Sequence, residues 1–247
     1  MSSELITASI AAIVAVVSAS ISVYGQVRTA QFADRLAKQR EAASRETQTA
    51  TLMSKYRDPL LRSTIDLQSR LFNIHQNQFL AFYAQSPTEK DYAIDNTLYV
   101  LAEYFGWVEI LRREVQFLDL GDMEMNRQLS ELLVSVTKAF GNNFQEPTFR
   151  LFNGEQRAIG EIMLIPRSLD KERGYECMGY ASFVKKMADP EFARWFAKPK
   201  DDMELMLKTA DGKRERLVHI HSRLIDLIDF LDPHRVRVPP QYRTRIK

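Results

Sequence analysis

The sequence has little cysteine, glycine or proline: one, nine and nine residues respectively among 247. The single cysteine, Cys177, has no partner for an internal disulfide, which is typical of a reducing compartment. Few glycines and prolines, with few β-branched runs after the first segment, leave little of the turn chemistry of a sheet protein. We therefore predict an all-α protein, with 45% hydrophobic residues available to fill a core.

The chain also lacks a strong net charge. Its 34 Lys and Arg residues are matched by 32 Asp and Glu residues, which gives a formal charge of +2. No field of the whole protein therefore attracts nucleic acid or acidic substrates. We expect no nucleic-acid partner unless a local basic patch provides one.

The usual chemical motifs are missing from the sequence. It contains no G-x-G-x-x-G or G-x-x-x-x-G-K-[ST] phosphate loop and no E-x-x-H pair of a di-iron bundle. We therefore predict no catalytic residues, no cofactor and no metal site, and we find no evident small-molecule substrate. An enzyme whose site is assembled from residues scattered among helices stays open as an alternative.

The histidines and the cysteine have structural interpretations. His219 and His221 are two residues apart on a predicted helix, so they point about 200° apart, which suits metal binding poorly. His221 shares a helix face with leucines, which predicts a hydrogen-bonded core histidine. Cys177 lies in apolar company and is predicted to be a structural residue rather than a nucleophile.

One uncharged run stands at the start of the chain. LITASIAAIVAVVSASISVYG extends from Leu5 to Gly25, and no ionisable residue follows until Arg28. About 20 apolar residues in a helix span the hydrocarbon layer. We therefore predict a transmembrane anchor over residues 1–27, followed by a helical stalk over residues 28–57.

The residues that flank the run predict its orientation. Basic residues come after the run rather than before it (Arg28, Arg35, Lys38, Arg40 and Arg45). Basic residues stay in the cytoplasm, so we expect a single-pass protein with its N-terminus outside and the bulk of the chain inside. A cleavable signal ending near Ser18-Ala19-Ser20 and a buried helix of a soluble core are the alternatives.

Small residues form a seam along the predicted anchor. The residues of this small-residue seam recur at alternating steps of three and four: Ala8, Ala11, Ala15, Ser18, Ser22 and Gly25. Small residues let helices approach closely in lipid, so the seam favours self-association. The same register continues to Met53, although Gln39 and Glu46 in seam positions make a poor coiled coil.

Residues 58–233 are predicted to form a cytoplasmic all-α domain. Asp58-Pro59 has the pattern of a helix start, as do Ser86-Pro87 and Asp189-Pro190. Further predicted helices cover residues 87–118, 123–140, 155–164, 180–188 and 213–231, with the first long ones forming a bundle of antiparallel helices. Asn153 is the predicted cap of the helix over residues 155–164, and the last helix is predicted to turn Asp226, Asp229 and Asp232 outward. Pro199 should end one piece, and the charged stretch RSLDKERG should mark a boundary.

Two polar segments are candidates for binding. Residues 154–161 cluster polar groups at a helix start, although Arg157 and Glu161 suit an ordinary surface pair four residues apart. The tail, residues 234–247, should be extended and holds five basic residues and no acid: Arg235, Arg237, Arg243, Arg245 and Lys247. Such a tail can face an anionic leaflet; nucleic-acid binding or simple solubilisation are its alternatives.

The whole pattern favours a membrane-anchored helical interaction protein, such as a scaffold, adaptor or regulatory subunit. Its expected partners are the lipid bilayer and either a second copy of itself or another membrane protein. An alternative is an oligomeric channel-like effector with a cytoplasmic sensing domain, because Ser and Thr in the run permit a polar lumen.

Overall fold

The structure is a computed structural model. It describes residues 3–114, 123–142, 148–167, 174–208 and 214–246. For residues 3–9, 11–12, 42, 45–54 and 123, the backbone alone is described. The chain forms two compact units, Met1–Thr51 and Leu52–Lys247, which are considered separately.

The protein is about 81% helical, which confirms the all-α prediction. The α-helices of the described ranges are α1 (Ser3–Gln76), α2 (Phe79–Tyr83), α3 (Pro87–Glu114), α4 (Met123–Gly141), α5 (Asn153–Ile162), α6 (Tyr180–Lys186), α7 (Pro190–Ala193), α8 (Ala197–Lys208) and α9 (Glu215–Leu231). Two strands, β1 (Leu164–Pro166) and β2 (Tyr175–Cys177), and two 3₁₀ turns, Arg194–Phe196 and Pro240–Arg243, complete the described elements.

α1 does not start anew at Asp58, so this part of the sequence prediction is wrong. Pro59 lies inside the helix. Its ring removes one backbone donor, but Leu60 and Leu61, which follow it, are buried in the core of the second unit. The Asp58 carboxylate does not cap a helix either, because it pairs with Arg57 and Arg237.

α3 is the central helix of the second unit. Its buried residues occur all around the helix over most of its length, from Ala93 to Leu111. It packs against α5, α2, β2, α6 and α8. Ser86-Pro87 starts α3 as predicted, with the Lys90 N–H donating to the Ser86 carbonyl at 2.9 Å.

α4 packs mainly on α9 rather than on α3. Both are amphipathic, and α4 places Val136, Ala139 and Phe140 in the core. The buried guanidinium of Arg216 on α9 donates to the Phe140 carbonyl at 2.9 Å and to the Asn142 carbonyl at 2.6 Å. Because these carbonyls belong to the end of α4, Arg216 closes that helix and ties it to α9.

A short antiparallel hairpin corrects the predicted boundary at RSLDKERG. Leu164 of β1 pairs with Cys177 of β2, and Pro166 pairs with Tyr175. The two strands flank the charged stretch and belong to the same compact unit. The charged residues therefore connect paired strands and do not separate two domains.

Two further local predictions need correction. Pro199 does not end a helix but lies in the first turn of α8. Backbone N–H groups in the first turn make no hydrogen bond within the helix, so proline, which has no N–H, is tolerated there. Asn153 is the first residue of α5, so the N-cap is Phe152, one residue earlier. The Glu155 carboxylate accepts the Phe152 N–H at 2.7 Å.

Candidate functional site

The N-terminal helix contains a segment, Ile13–Glu41, that is long and apolar enough to cross a membrane. None of its apolar stretch is buried within the protein. Every side chain from Ile13 to Val27 is exposed, including those of Ile13, Ile21 and Tyr24 at over 60%. The chain thus leaves this uncharged helix surface uncovered.

The described part of the small-residue seam is exposed. Ala15, Ser18, Ser22 and Gly25 lie on the surface of α1, and a Cβ built on Gly25 would meet no atom within 4 Å. Ala8 and Ala11, the other two predicted seam residues, have side chains outside the described set. The seam therefore offers room for a close backbone approach.

Two hydroxyl groups in the segment Ile13–Glu41 are satisfied by the helix itself. Ser20 Oγ donates to the Val16 carbonyl, and Thr29 Oγ1 donates to the Gly25 carbonyl, both at 2.8 Å. Such bonds to the carbonyl four residues earlier cover a hydroxyl without water. These polar residues are thereby compatible with apolar surroundings.

The prediction for His221 is confirmed. Its ring is fully buried, and Gln68 Nε2 donates to His221 Nε2 at 2.8 Å. Burial, together with the charges of Arg245 and His75, lowers the pKa of His221 to about 4. This histidine is therefore neutral at physiological pH and belongs to the core.

Cys177 is also a structural residue, as its environment shows. Burial and the nearby Glu103 carboxylate raise the pKa of the Cys177 thiol to about 12. Nucleophilic attack requires the thiolate, which this environment disfavours. The thiol packs against α3 at Gly106, where an added Cβ would stand 2.6 Å from Cys177 Sγ.

A cavity of about 530 Å³ lies in the second unit between α3, α4 and the start of α5. No pattern in the sequence indicates this cavity. Its apolar walls come from α3 and α4: Phe105, Val108, Leu111, Leu129, Leu133 and Val134. Because α4 packs mainly on α9 and α5 packs closely on α3, space remains between α3 and α4.

One carboxylate lines this cavity and is fully paired. Arg112 Nη2 and Arg113 Nε each donate to Glu109 Oε1 at 2.6 Å, and Glu109 is 2% exposed. Burial alone would raise the pKa of Glu109, but the hydrogen bonds from the two guanidinium groups outweigh it and lower the pKa. Glu109 is thus a stable anion.

Three carboxyl groups with raised pKa values, Asp66, Asp95 and Glu103, lie outside the lining of this cavity. Burial is the main cause at both Asp66 and Glu103, and the Asp66 charge further raises the pKa of Glu103. The Tyr99 hydroxyl donates to Glu103 at 3.2 Å. A raised carboxyl pKa is a common property of catalytic acids, but here no such group shares the apolar cavity.

Gln156 closes one end of the cavity. Its Nε2 donates to the Thr137 carbonyl at 3.0 Å and to the Leu151 carbonyl at 2.8 Å, which ties α5 to α4. These two acceptors fix the orientation of the amide. Gln156 Oε1 is buried and has no hydrogen-bond donor in the part of the chain that the structure describes.

The predicted pair between Arg157 and Glu161 does not form. Glu161 instead pairs with Arg113 of α3 at 3.2 Å, because α5 lies directly against α3. Arg157 is exposed at the rim of the cavity and makes no ion pair with the described residues. The sequence suggested the polar cluster of residues 154–161 but not the cavity beside it.

The tail is not free, which corrects the prediction of an extended basic tail. Arg243 pairs with Asp232 at 2.8 Å and also with Asp229. Likewise, Arg245 pairs with Asp226 at 2.7 Å, and Arg237 pairs with Asp58 at 2.9 Å. Arg235 is exposed without an ion pair to the described residues, and Lys247 lies outside them.

Asp232 anchors the tail and is buried, although the helical pattern predicted it to face outward. Its carboxylate accepts the N–H groups of Val236, Arg237 and Val238 at 2.9 to 3.2 Å. The sequence cannot reveal this arrangement from periodicity, because the donors come from the chain after the helix.

No family model, curated protein or solved structure matches this chain. Among the described residues, no group of three or more His, Cys, Asp or Glu side chains is arranged to hold a metal ion. The function must therefore be inferred from the helix surface of the first unit and from the cavity of the second.

Proposed function

We propose that this chain is a single-pass membrane-anchored interaction protein. The observation that carries the proposal is the full exposure of the uncharged helix surface from Ile13 to Val27. In water such a continuous apolar surface is unfavourable, whereas in a bilayer it contacts hydrocarbon and all its backbone groups are satisfied within the helix.

The orientation follows from the charges after the apolar stretch. Arg28, Arg35, Lys38 and Arg40 come within 13 residues of Val27, and Glu4 is the only charged side chain before it. Basic residues are retained on the cytoplasmic side, and acidic residues contribute little to this rule. The second unit is thus assigned to the cytoplasm and the residues before the apolar stretch to the outside.

Self-association through the small-residue seam is part of the proposal. The space at Gly25 and the small neighbours Ala15, Ser18 and Ser22 support close packing of two helices in lipid. The Ser20 and Thr29 hydroxyls donate to carbonyls of their own helix, so they need no water. This favours packing of one helix on another over a water-filled pore.

The state of the reactive groups supports a binding role for the second unit. The carboxylate at the cavity, Glu109, is neutralised by two arginines, and the Cys177 thiol has a raised pKa. Neither is prepared to act as a base or a nucleophile.

The anchor is tested by washing membranes that contain the full-length chain with alkaline carbonate. We expect the chain to stay in the membrane pellet, and a fragment of residues 52–247 to appear in the supernatant. Release of the full-length chain by carbonate would contradict the anchor. Protease treatment of inverted vesicles should digest the second unit, and its protection would contradict the orientation.

A further inference from the structure

We propose that the cavity between α3, α4 and α5 binds a single-chain amphipathic carboxylate, with the chain along the apolar walls and the carboxylate at Arg157. This goes beyond the proposed function, because it assigns a small-molecule site to the second unit. It does not depend on the membrane anchor.

The size and shape of the cavity suit an alkyl chain. Its volume of about 530 Å³ lies within the range of small-molecule sites, which are mostly apolar with a few polar groups. The lining residues on α4 extend from Asn126 to Thr137, a distance of about 16 Å along a helix. A cavity that follows two helices in this way favours an extended chain over a compact ring system.

The charges at the cavity select an anion with one negative charge. Its charged lining residues are Glu109, Arg112 and Arg157, and the first two pair with each other. This leaves Arg157 as the available cation. A guanidinium group binds a carboxylate through two parallel hydrogen bonds, so one free arginine matches one carboxylate.

The end of the cavity near Arg157 is also its polar end. Asn153 and Gln156 line it, and the N-terminus of α5 adds partial positive charge. Glu155, the acid of this first turn, accepts the Phe152 N–H and offsets part of this positive charge, so Arg157 provides the main attraction for an anion. Gln156 Nε2 is already bonded to the Thr137 and Leu151 carbonyls, so Asn153 and Arg157 supply the side-chain donors at this end.

Photolabelling of the full-length chain in neutral detergent micelles tests the site. The probe is decanoate with a diazirine at the end of its chain. We expect adducts on the α4 peptide between Arg127 and Lys138 and on α3. Unlabelled decanoate should displace the probe, and decyltrimethylammonium, with the opposite charge, should not. Octanoate should compete about fifteenfold more weakly, because each buried CH₂ contributes about a fourfold change in affinity.

Two charge-reversal variants make the test specific. Arg157→Glu should weaken labelling of the cavity at least tenfold. Arg235→Glu makes the same charge change at another exposed arginine without an ion pair to the described residues, and it should leave labelling unchanged. Both positions are exposed, so both variants should fold, which circular dichroism can verify.

Three results would overturn the proposal. The first is labelling confined to Ile13–Glu41, which would reflect partition into the micelle. The second is cavity labelling that Arg157→Glu leaves unchanged or that the cationic competitor removes equally well. The third is cross-linked dimers joined through α4 without displacement by decanoate, which would identify a second copy of the chain as the occupant.

Discussion

At the residue scale, Asp232 holds the end of α9 and the chain that follows it. Burial alone would raise the pKa of its carboxyl group. The N–H groups of Val238, Val236 and Arg237, together with the Arg243 guanidinium, outweigh burial and lower the pKa below its ordinary value of 3.8. A group with a lowered pKa in the folded state stabilises the fold above its unfolded pKa, and this contribution disappears as the pH falls.

We therefore predict that Asp232→Asn lowers the free energy of unfolding by about 2 to 4 kcal/mol at neutral pH, because a buried ion pair loses one partner. The difference from the unchanged protein should be constant above about pH 5 and should shrink as the pH falls below about 4. Urea unfolding of the detergent-solubilised chain, followed by circular dichroism at several pH values, measures it.

Asp201→Asn is the matched control, because Asp201 is exposed and lies on α8. Its effect should stay within about 0.5 kcal/mol at every pH. A loss of stability in Asp232→Asn that does not change with pH would contradict the role of the carboxylate charge.

The sequence predicted single residues well where one helix decides their environment. His221 follows the leucines of its own face into the core, as the spacing indicated. The spacing predicts the wrong surroundings for Asp232 and Arg157, because other parts of the chain decide them. At Asp232 the hydrogen-bond donors come from the chain after α9. At Arg157 the expected partner, Glu161, pairs with Arg113 of α3 instead.

At the scale of elements, the contact between α3 and α5 depends on Gly160. A Cβ at this position would stand 2.7 Å from the Phe105 carbonyl oxygen and 2.9 Å from Glu109 Cβ. The Phe105 carbonyl oxygen belongs to the backbone of α3, so no side-chain rotation can move it away. The two helices can lie this close because residue 160 has no side chain.

We predict that Gly160→Ala destabilises the second unit by about 1 to 3 kcal/mol, as overpacking does. Gly154→Ala on the same helix is the control, because a Cβ there meets nothing within 4 Å and alanine favours the helix by about 0.5 to 1 kcal/mol. Thermal unfolding of both variants measures the difference. Equal melting temperatures would show that α5 can move away from α3 without loss.

Another element-scale prediction concerns the small-residue seam. Ala15→Leu and Ser22→Leu should each reduce chemical cross-linking of the full-length chain in membranes, because a large side chain separates the two backbones. Ile13→Leu and Val17→Leu lie among the larger residues of α1 and should leave cross-linking unchanged. Equal loss in both pairs, or in neither, would rule out packing through the seam.

Prolines show where local patterns mislead at this scale. Pro59 and Pro199 both resemble helix boundaries in the sequence, yet each lies within a helix. At Pro59, burial of Leu60 and Leu61 favours the continuous helix. At Pro199, the first turn tolerates proline. Pro87 and Pro190 follow the simple rule and start helices.

At the scale of the whole molecule, composition was sufficient to predict an all-α protein, and the uncharged run was sufficient to locate a helix able to cross a membrane. The cavity was not predictable in the same way. It exists because α4 is held by Arg216 and α9 while α5 is held by α3, and a single sequence does not reveal which helices pair.

The cavity walls thus belong to two separately packed pairs of helices: α3 with α5, and α4 with α9. Gly160 brings α5 directly against α3, whereas α4 follows α9, whose last residue precedes Asp232 and the returning tail. An occupant that fits the space of about 530 Å³ between them leaves both pairs of helices in place. A bulkier one can enter only if α4 and α9 move together away from α3 and α5, because neither close-packed pair has room to yield.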